Sequence, residues 1–507
     1  MYQFVYGGTL FGVDGRLIRV EADISNGLPS FEMGGRLSAE VKESRERVRT
    51  ALRNSGVHLP ARRISLSLAP ADLPKSGTGF DLAIAVALLA ALELFPEEKK
   101  QDCVFLGELG LSGEVRPVRG VLPVVCTARD EGLTTCFVPV ENVREARAIP
   151  GMRIVGVSSL DHALRVLKGE AEGEEPPAQE EAAAERPGDF ADVAGMQTGK
   201  RAAEIAAAGM HNLLMIGPPG AGKSMLAGRI PGIMPPMTWE ERIELTKIYS
   251  SRGLLRGQGL IAERQFRSPH HTITKTALAG GGVVPRAGEV TLAHRSILFL
   301  DELPEFDPHV LEVLRQPLEE RRLTVSRSSG VYTFPADIML VAAMNPCKCG
   351  FYPDRGRCSC SERDVRKYLG RISRPLLDRF DLFVEVPPVL YEQLRSTERE
   401  ESSEKIRIRV AEARERQIAR LKDSHMVCNA QMGSEEVKAF CRLGSREESY
   451  LEQIYRTLGF SARGYTRVLK LARTIADLSG KDEIGTMELS EAVSFRRAGE
   501  TFWGRGG

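Results

Sequence analysis

The chain has 507 residues, of which 42% are hydrophobic and 27% charged, and its 69 basic and 68 acidic side chains give a formal net charge of +1. This length predicts two or three domains, and the balanced charge excludes a uniformly basic nucleic-acid binder, so any surface for anions has to be a local patch. No apolar run reaches the roughly 18 residues of a membrane span, which argues against a membrane partner, and nine cysteines without a secreted disulfide pattern favour a cytoplasmic protein.

The first third of the chain predicts an α/β domain. Alternating apolar residues over 63–68 indicate a strand, and periodic apolar residues over 41–54 and 81–94 indicate helices. Residues 169–188 are rich in Glu, Ala and Pro and contain no large apolar side chain. Because such a segment cannot bury a core, it predicts an acidic, flexible linker that follows a first domain of residues 1–168.

Strand-like apolar runs, separated by helical segments, follow the linker at 213–216, 297–300 and 338–342. Runs of this length are typical of a parallel sheet that is covered on both faces. From about residue 391 the pattern is almost purely helical. We therefore expect an α/β core over residues 189–388 and a helical domain over 389–507.

Residues 217–224 read Gly-Pro-Pro-Gly-Ala-Gly-Lys-Ser and lie between an apolar strand and a helical segment, as a phosphate-binding loop requires. Glycines let backbone N–H groups surround the phosphates at the positive end of the following helix. Lys223 is expected to reach the β- and γ-phosphates, and Ser224 to bind Mg²⁺. The predicted contacts to ATP and Mg²⁺ are Gly217, Pro218, Pro219, Gly220, Ala221, Gly222, Lys223, Ser224, Met225 and Asp301.

Two further strand ends carry polar groups suited to ATP hydrolysis. The strand 297–300 ends in Asp301 and Glu302, and Asn345 follows the next strand. Asp301 is suited to hold Mg²⁺ through water, Glu302 to polarise the attacking water, and Asn345 to orient that water against the γ-phosphate. A lone Asp-Glu pair is usually a solvated strand end, but downstream of a phosphate loop we interpret this pair as catalytic.

Two arginines extend this site beyond the sheet. The segment 376–381, Leu-Leu-Asp-Arg-Phe-Asp, resembles the part of AAA+ ATPases that carries the arginine finger, which implies that Arg379 acts on the ATP of a neighbouring subunit. Arg463 resembles the sensor-2 arginine of a helical lid, which implies contact with the γ-phosphate held by its own chain. The simpler alternative for Arg379 is an ion pair with a nearby aspartate. A finger acting between subunits implies a homo-oligomer, normally a hexameric ring.

Four of the nine cysteines lie close together in the sequence, at Cys347, Cys349, Cys358 and Cys360. Four thiolates at about 2.3 Å would satisfy tetrahedral Zn²⁺, and the intervening glycines and proline would help the loop 347–360 to fold around the ion. A disulfide is the alternative, which a reducing compartment disfavours. Because all four ligands come from the protein, we predict a structural zinc site rather than a catalytic one.

With these motifs in this order, the chain resembles the YifB/ComM family of magnesium chelatase-like AAA+ proteins over nearly its whole length. Three further segments carry the resemblance: Arg-Ser-Pro-His-His-Thr at 267–272, Leu-Ala-Gly-Gly-Gly at 278–282 and Gly-Glu-Val-Thr-Leu-Ala-His at 288–294. The resemblance implies an AAA+ P-loop core with a C-terminal helical lid. It also implies a hexameric, ATP-driven DNA helicase that promotes branch migration on single-stranded or branched DNA during natural transformation and homologous recombination.

Residues 1–168 resemble the ribosomal S5 domain-2-like fold of the Lon protease domain, through segments 72–81 and 105–117. Lon uses a serine and a lysine, whose positions correspond here to Gly79 and Leu122. The resemblance therefore implies a protease-dead domain that serves binding or assembly.

DNA contacts are expected on segments that project from the core sheet. Residues 322–335 predict a hairpin at the position where related AAA+ proteins carry a pore hairpin, with Arg327 for a phosphate and Tyr332 for a base. Pairing of Tyr332 across the hairpin is an equal alternative. The segment 266–275 resembles the helix-2 insert of this group and offers Arg267 and Lys275.

Two other functions stay open at this point. One is a chelatase-type AAA+ chaperone that remodels a protein partner, although no metal-adhesion pattern (D-x-S-x-S) follows the ATPase segment. The other is a binding module that uses ATP as a switch, although Glu302 and Arg379 are both retained.

Overall fold

The computed structural model describes residues 1–177, 188–255, 257–327, 330–389, 391–392, 400–424, 426–458 and 461–503. Residues 178–187, half of the predicted linker, and residues 328–329 of the predicted hairpin lie outside the described residues. Within the described chain, no helix is long and apolar enough to cross a membrane.

The N-terminal body is built on a seven-stranded sheet with the order β3-β4-β2-β1-β5-β8-β9. Its strands, together with the small hairpin β6–β7, are β1 (Tyr2–Phe11), β2 (Asp14–Ser25), β3 (Ser30–Gly34), β4 (Arg63–Ala69), β5 (Cys103–Phe105), β6 (Glu108–Leu109), β7 (Val115–Arg116), β8 (Thr135–Pro139) and β9 (Arg153–Val157). The pairs β1–β2 and β2–β4 are antiparallel, and the other neighbours in the sheet are parallel.

The helices of this body are α1 (Ala39–Asn54), α2 (Asp81–Ala91), α3 (Val121–Asp130), α4 (Val143–Ala146) and α5 (Leu160–Lys168). Helix α2 packs on β1 and β2 with every residue buried, which explains why its sequence is apolar all round. Each of its large aliphatic side chains contributes about 1.5–3 kcal/mol of transfer free energy. The structure ends α2 at Ala91, three residues before the predicted end, since the chain turns at Leu92 and Glu93.

The central body holds a five-stranded, all-parallel sheet with the order β11-β14-β17-β10-β18. These strands are β10 (Leu213–Ile216), β11 (Phe266–Arg267), β14 (Ile297–Leu300), β17 (Met339–Met344) and β18 (Leu382–Glu385). Two hairpins project from this layer: β12 (Gly280–Gly281) with β13 (Arg286–Ala287), and β15 (Arg322–Arg327) with β16 (Gly330–Pro335). The buried parallel strands confirm the predicted α/β class.

Helices of the central body are α6 (Gln197–Gly209), α7 (Lys223–Ala227), α8 (Trp239–Arg252), α9 (Lys275–Ala279), α10 (Glu289–Leu292), α11 (Pro308–Leu311), α12 (Arg315–Glu320), α13 (Glu362–Leu369) and α14 (Arg374–Leu377). The C-terminal body is helical, as predicted: α15 (Ser403–Leu421), α16 (Ser434–Phe440), α17 (Ser445–Leu458), α18 (Ala462–Leu478), α19 (Thr486–Arg497) and α20 (Glu500–Trp503). Helices α15 and α18 pack against α6, so the helical body shares a hydrophobic core with one face of the parallel sheet.

The N-terminal body docks on the central body at two places. Helix α3 packs on α8, where the Gly120 N–H donates to the Ser250 carbonyl at 3.0 Å and Ile243 enters the N-terminal core. The turn between β1 and β2 packs on the hairpin β15–β16, where Phe11 stacks on Tyr332 with ring centroids 4.4 Å apart. The hairpin is therefore supported by the N-terminal body.

Candidate nucleotide site

The phosphate-binding loop leaves the carboxyl end of β10, which lies between β17 and β18, and α7 begins at Lys223. Gly220 and Gly222 adopt left-handed backbone angles, with φ of 75° and 82°, which glycine adopts without strain. A Cβ atom at Gly217 would collide with the Val386 carbonyl, because the loop passes directly over the end of β18. The ten residues predicted to contact ATP and Mg²⁺ lie in this loop, in the first turn of α7 and at the end of β14.

The side chain of Lys223 folds back onto the phosphate-binding loop of the same chain. Its ammonium donates to the carbonyls of Gly217 at 2.7 Å and Pro218 at 2.9 Å, and to Oδ1 of Asn345 at 3.1 Å. Burial lowers the pKa of Lys223 to about 8. A phosphate oxygen would replace neutral acceptors with a charged one, and such charge-assisted hydrogen bonds are roughly twice as strong.

The two carboxylates that follow β14, Asp301 and Glu302, have different surroundings. Asp301 Oδ2 accepts a hydrogen bond from Ser224 Oγ at 2.5 Å, so a hydroxyl and a carboxylate oxygen meet at one point. These are the hard oxygen ligands that Mg²⁺ prefers. Glu302 has a left-handed backbone with φ of 50°, and its side chain is 59% exposed, which leaves it open to a water and a nucleotide.

His271 lies at this site, although the sequence analysis assigned no role to it. Its Nδ1 lies 3.7 Å from Oε2 of Glu302, and its ring packs on His270 with centroids 4.1 Å apart. The loop after β11 carries His271 over the end of the neighbouring strand β14. Only strand order brings these two residues together, so the spacing of 31 positions offered no signal.

Arg379 and Arg463 meet away from the phosphate loop. The guanidinium of Arg379 is 4% exposed and pairs with Glu319, and Arg463 Nη2 lies 3.5 Å from the same Glu319 carboxylate. The Arg379 carbonyl accepts a hydrogen bond from the Asn212 amide, just before β10 begins. The backbone of Arg379 therefore lies at the amino edge of the sheet, whereas the phosphate loop lies at its carboxyl edge.

The five steps from Asn212 to Gly217 span about 16 Å of extended strand. Contact of Arg463 with the γ-phosphate held by its own chain stays a prediction. The alternative prediction for Arg379, an ion pair with an aspartate, named the wrong partner. The guanidinium pairs with Glu319, a glutamate of α12. Arg467 forms a separate ion pair nearby, since its Nε lies 3.5 Å from Oδ1 of the half-buried Asp381.

The four clustered cysteines converge on one point. Their sulfur atoms all lie within 4.8 Å of one another, and the Cys347–Cys349, Cys349–Cys358 and Cys347–Cys358 distances are 3.3, 3.5 and 3.7 Å. Four thiolates around Zn²⁺ at about 2.3 Å would lie about 3.8 Å apart, so the residues fit a tetrahedral thiolate site. All four cysteines are free thiols here.

The cysteine loop touches the phosphate loop. Gly350 has a left-handed φ of 85°, and a Cβ atom there would collide with the ring of Pro219. Cys347 itself is buried among apolar residues under the sheet. The loop 347–360 therefore supports the outer side of the nucleotide site.

The four predicted DNA contacts have different surroundings. Arg327 and Lys275 are exposed, and Arg327 Nε donates to the Gly282 carbonyl at 3.3 Å, so the two hairpins lie side by side. Arg267 forms a two-pronged pair with Glu289 at 2.7 and 2.8 Å. Tyr332 is only 5% exposed and its ring stacks on Phe11, so its predicted base contact would require this stack to open.

The Lon-like positions hold no protease pair. Gly79 has no side chain, and Leu122 is fully buried in an apolar cluster. Lys75 is 1% exposed and its ammonium donates to the Pro70 carbonyl. Neither a nucleophile nor a base is present at the two positions.

Three family models match the chain. "Magnesium chelatase, subunit ChlI" matches residues 189–394, "Subunit ChlI of Mg-chelatase" matches 20–142, and "Magnesium chelatase, subunit ChlI C-terminal" matches 400–496. The N-terminal part is also similar to the Lon protease of Syntrophomonas wolfei, at 27% identity over 31% of this chain and 21% of that protein.

Full-length relatives are similar throughout. The protein YifB of Escherichia coli is 42% identical over 97% of this chain and 96% of its own length. The "Competence protein ComM" of Haemophilus influenzae is 40% identical over 97% of both chains. With the phosphate loop, the acidic strand end and the parallel sheet in the expected order, the chain belongs to the YifB/ComM family of magnesium chelatase-like AAA+ proteins.

Proposed function

We propose that this chain hydrolyses ATP as one subunit of a homo-oligomeric ring, a hexamer, and that the ring drives DNA strands past its projecting hairpins. The observation that carries the proposal is the position of Arg379 and Arg463. The Arg379 carbonyl contacts Asn212, about 16 Å of extended strand before the phosphate loop, and Arg463 shares the Glu319 carboxylate with Arg379. We infer that they complete the nucleotide site of a neighbouring subunit.

The roles of the residues follow from their positions. Lys223 would leave the Gly217 and Pro218 carbonyls for the β- and γ-phosphates, and Ser224 with Asp301 would hold Mg²⁺. Glu302 would accept the proton of the attacking water, which Asn345 orients. The Mg²⁺–ATP complex supplies the phosphoanhydride bond and the divalent charge. Arg379 of one subunit would then stabilise the charge that develops on the γ-phosphate of the next.

His271 lies beside Glu302 and is suited to hold the Glu302 carboxylate in place until a nucleotide binds. Its ring can donate a hydrogen bond to Glu302 and so keep the base turned toward the loop 267–272 rather than toward water. Such a contact would limit wasteful hydrolysis in a ring that is not engaged with its substrate.

The DNA part of the proposal rests on the hairpins and on one relative. The exposed cations Arg327 and Lys275 lie on segments that project from the sheet, and Arg327 bridges the two hairpins. The relative from Haemophilus influenzae is called a competence protein. We therefore propose branch migration of recombining strands during natural transformation as the work that hydrolysis drives.

A second candidate function is remodelling of a protein partner in the manner of a chelatase chaperone. The three magnesium chelatase family models favour it, because they match most of the chain. The two candidates share the nucleotide chemistry and differ only in the substrate of the ring.

The test is the rate of ATP hydrolysis with single-stranded, duplex or four-way-junction DNA, or without DNA. We expect strong stimulation by junction or single-stranded DNA, and loss of on the order of a hundredfold or more in Glu302→Gln, because the water loses its base. A rate that is the same with every DNA would sink the DNA motor and favour the protein-remodelling function.

A further inference from the structure

A cavity of about 390 Å³ lies between the N-terminal and central bodies. On one side it is lined by the end of β1 with the turn after it, residues 8–12, and by the loop 74–79. On the other side it is lined by residues 251–252 and by residues 283–287 of the hairpin β12–β13. Sites for small molecules in proteins typically measure about 300–1000 Å³. The cavity lining includes Gly79, the position that corresponds to the Lon serine in the resemblance described above.

Three arginines converge on this cavity: Arg119 from the N-terminal body, and Arg252 and Arg286 from the central body. Arg252 Nη1 donates to the Ala287 carbonyl at 2.8 Å, which fixes its guanidinium at the wall. The side chain of Arg119 lies against Gly253, which brings it to the same end. In the described chain, no ion pair joins any of the three to a carboxylate.

The charges of these arginines act on one another. The pKa of Arg252 is lowered, first by burial and then by the charge of Arg286, with Arg119 and Arg267 adding to the effect. The nearest acid, Glu289, is already paired with Arg267 at 2.7 Å. Like charges held together in a partly desolvated site cost free energy that an anion would recover.

The opposite wall is small and adaptable. Gly77 has a left-handed φ of 88° with open space where a side chain would stand, so a ligand can approach the backbone there. Glu40 is the one acid among the lining residues, and its Oε2 accepts hydrogen bonds from Ser38 Oγ at 2.9 Å and from the Gly77 N–H at 3.4 Å. The apolar residues Leu10, Val118 and Val284 line the space between this wall and the arginines.

We propose that this cavity binds a phosphate-bearing ligand of about mononucleotide size, with its phosphate held by Arg119, Arg252 and Arg286 and its organic part on the apolar lining. The source of the phosphate is either a free nucleotide or one nucleotide of a DNA strand. Arginine is the residue suited to either, because its planar guanidinium binds phosphate oxygens in pairs. The inference goes beyond ATP hydrolysis and holds whether or not the ring moves DNA.

The test measures equilibrium binding to the full chain carrying Lys223→Ala, which removes the main phosphate contact of the nucleotide site. The probes are inorganic pyrophosphate, AMP and a 5′-phosphorylated single-stranded thymidine ten-mer. The test variant adds Arg119→Gln and Arg286→Gln, both exposed positions where the fold does not depend on the charge. The matched control adds Arg165→Gln and Arg446→Gln, which remove the same charge from exposed positions that do not line the cavity.

We expect at least one probe to bind, and its affinity to fall about tenfold or more in the test variant and less than about twofold in the control. Ser76→Trp, which fills the cavity from the small wall, should weaken the same probe without changing the charge. Binding of pyrophosphate and AMP would identify a free ligand, and binding of the ten-mer alone would identify a strand.

Absence of binding by all probes, or equal losses in the test and control variants, would overturn the proposal. The outcome is separate from that of the ATPase assay, because this assay reads binding in a chain whose phosphate loop is disabled.

Discussion

At the level of single residues, the burial of Lys223 among neutral acceptors predicts how the affinity for ATP depends on pH. Burial lowers its pKa to about 8 in the free chain, whereas bound phosphates favour the charged ammonium and raise that pKa. Binding of ATP therefore takes up a proton above pH 8. Affinity is expected to be constant well below pH 8 and to fall by up to about tenfold per pH unit above it.

The measurement is the dissociation constant of a fluorescent ATP analogue from pH 6.5 to 9.5. Lys223→Arg is the matched control, because a guanidinium stays charged throughout this range, so its affinity, though weaker, should not follow the same curve. A constant affinity of the unmodified chain up to pH 9.5 would contradict the expected role of Lys223.

At the level of elements, the cysteine loop and the phosphate loop form one support. Since Gly350 packs directly on Pro219, loss of the metal-binding geometry should shift the phosphate loop. We expect about one zinc ion per chain, and we expect Cys358→Ser to lower the metal content, the melting temperature and the affinity for ATP, the last on the order of tenfold.

Metal content by mass spectrometry, thermal unfolding and nucleotide titration check this expectation together. Ser359→Ala changes the exposed neighbour in the same loop and should leave all three quantities unchanged. Full nucleotide affinity in a metal-free chain would show that the two loops act independently.

At the level of the whole molecule, the proposed ring predicts complementation between subunits that carry different substitutions. Arg463→Ala and Glu302→Gln should each abolish most ATP hydrolysis when present alone. In a 1:1 mixture about a quarter of the interfaces would join an intact phosphate-loop side to an intact arginine side, so about a quarter of the activity should return. Arg463 suits this test because its side chain is 65% exposed and the fold does not depend on it.

The matched control mixes Glu302→Gln with Lys223→Ala. Both changes lie on the phosphate-loop side, so no interface is intact and no activity should return. Light scattering of each mixture verifies that rings form. Recovery in neither mixture, with rings present, would mean that Arg463 acts on the nucleotide of its own chain or not at all.

How far the sequence predicted the molecule depends on whether a feature is local. The phosphate loop, the strand ending at Asp301 and Glu302, and the clustered cysteines were recognisable because each is a short run whose chemistry needs neighbouring residues. The same holds for the fully apolar helix around Leu82 to Ala91. Helix ends were less certain, since turns such as that at Glu93 depend on packing.

The sequence by itself determined the order of bodies, the class of sheet and the residues of the phosphate loop, because periodicity and spacing act within one segment. Only the tertiary structure brought His271 to Glu302, paired Arg379 and Arg463 with Glu319, stacked Tyr332 on Phe11 and gathered Arg119, Arg252 and Arg286 around one cavity. Each of these contacts joins residues from different elements, and strand order and the docking of two bodies decide such distances, which no local pattern of side chains encodes.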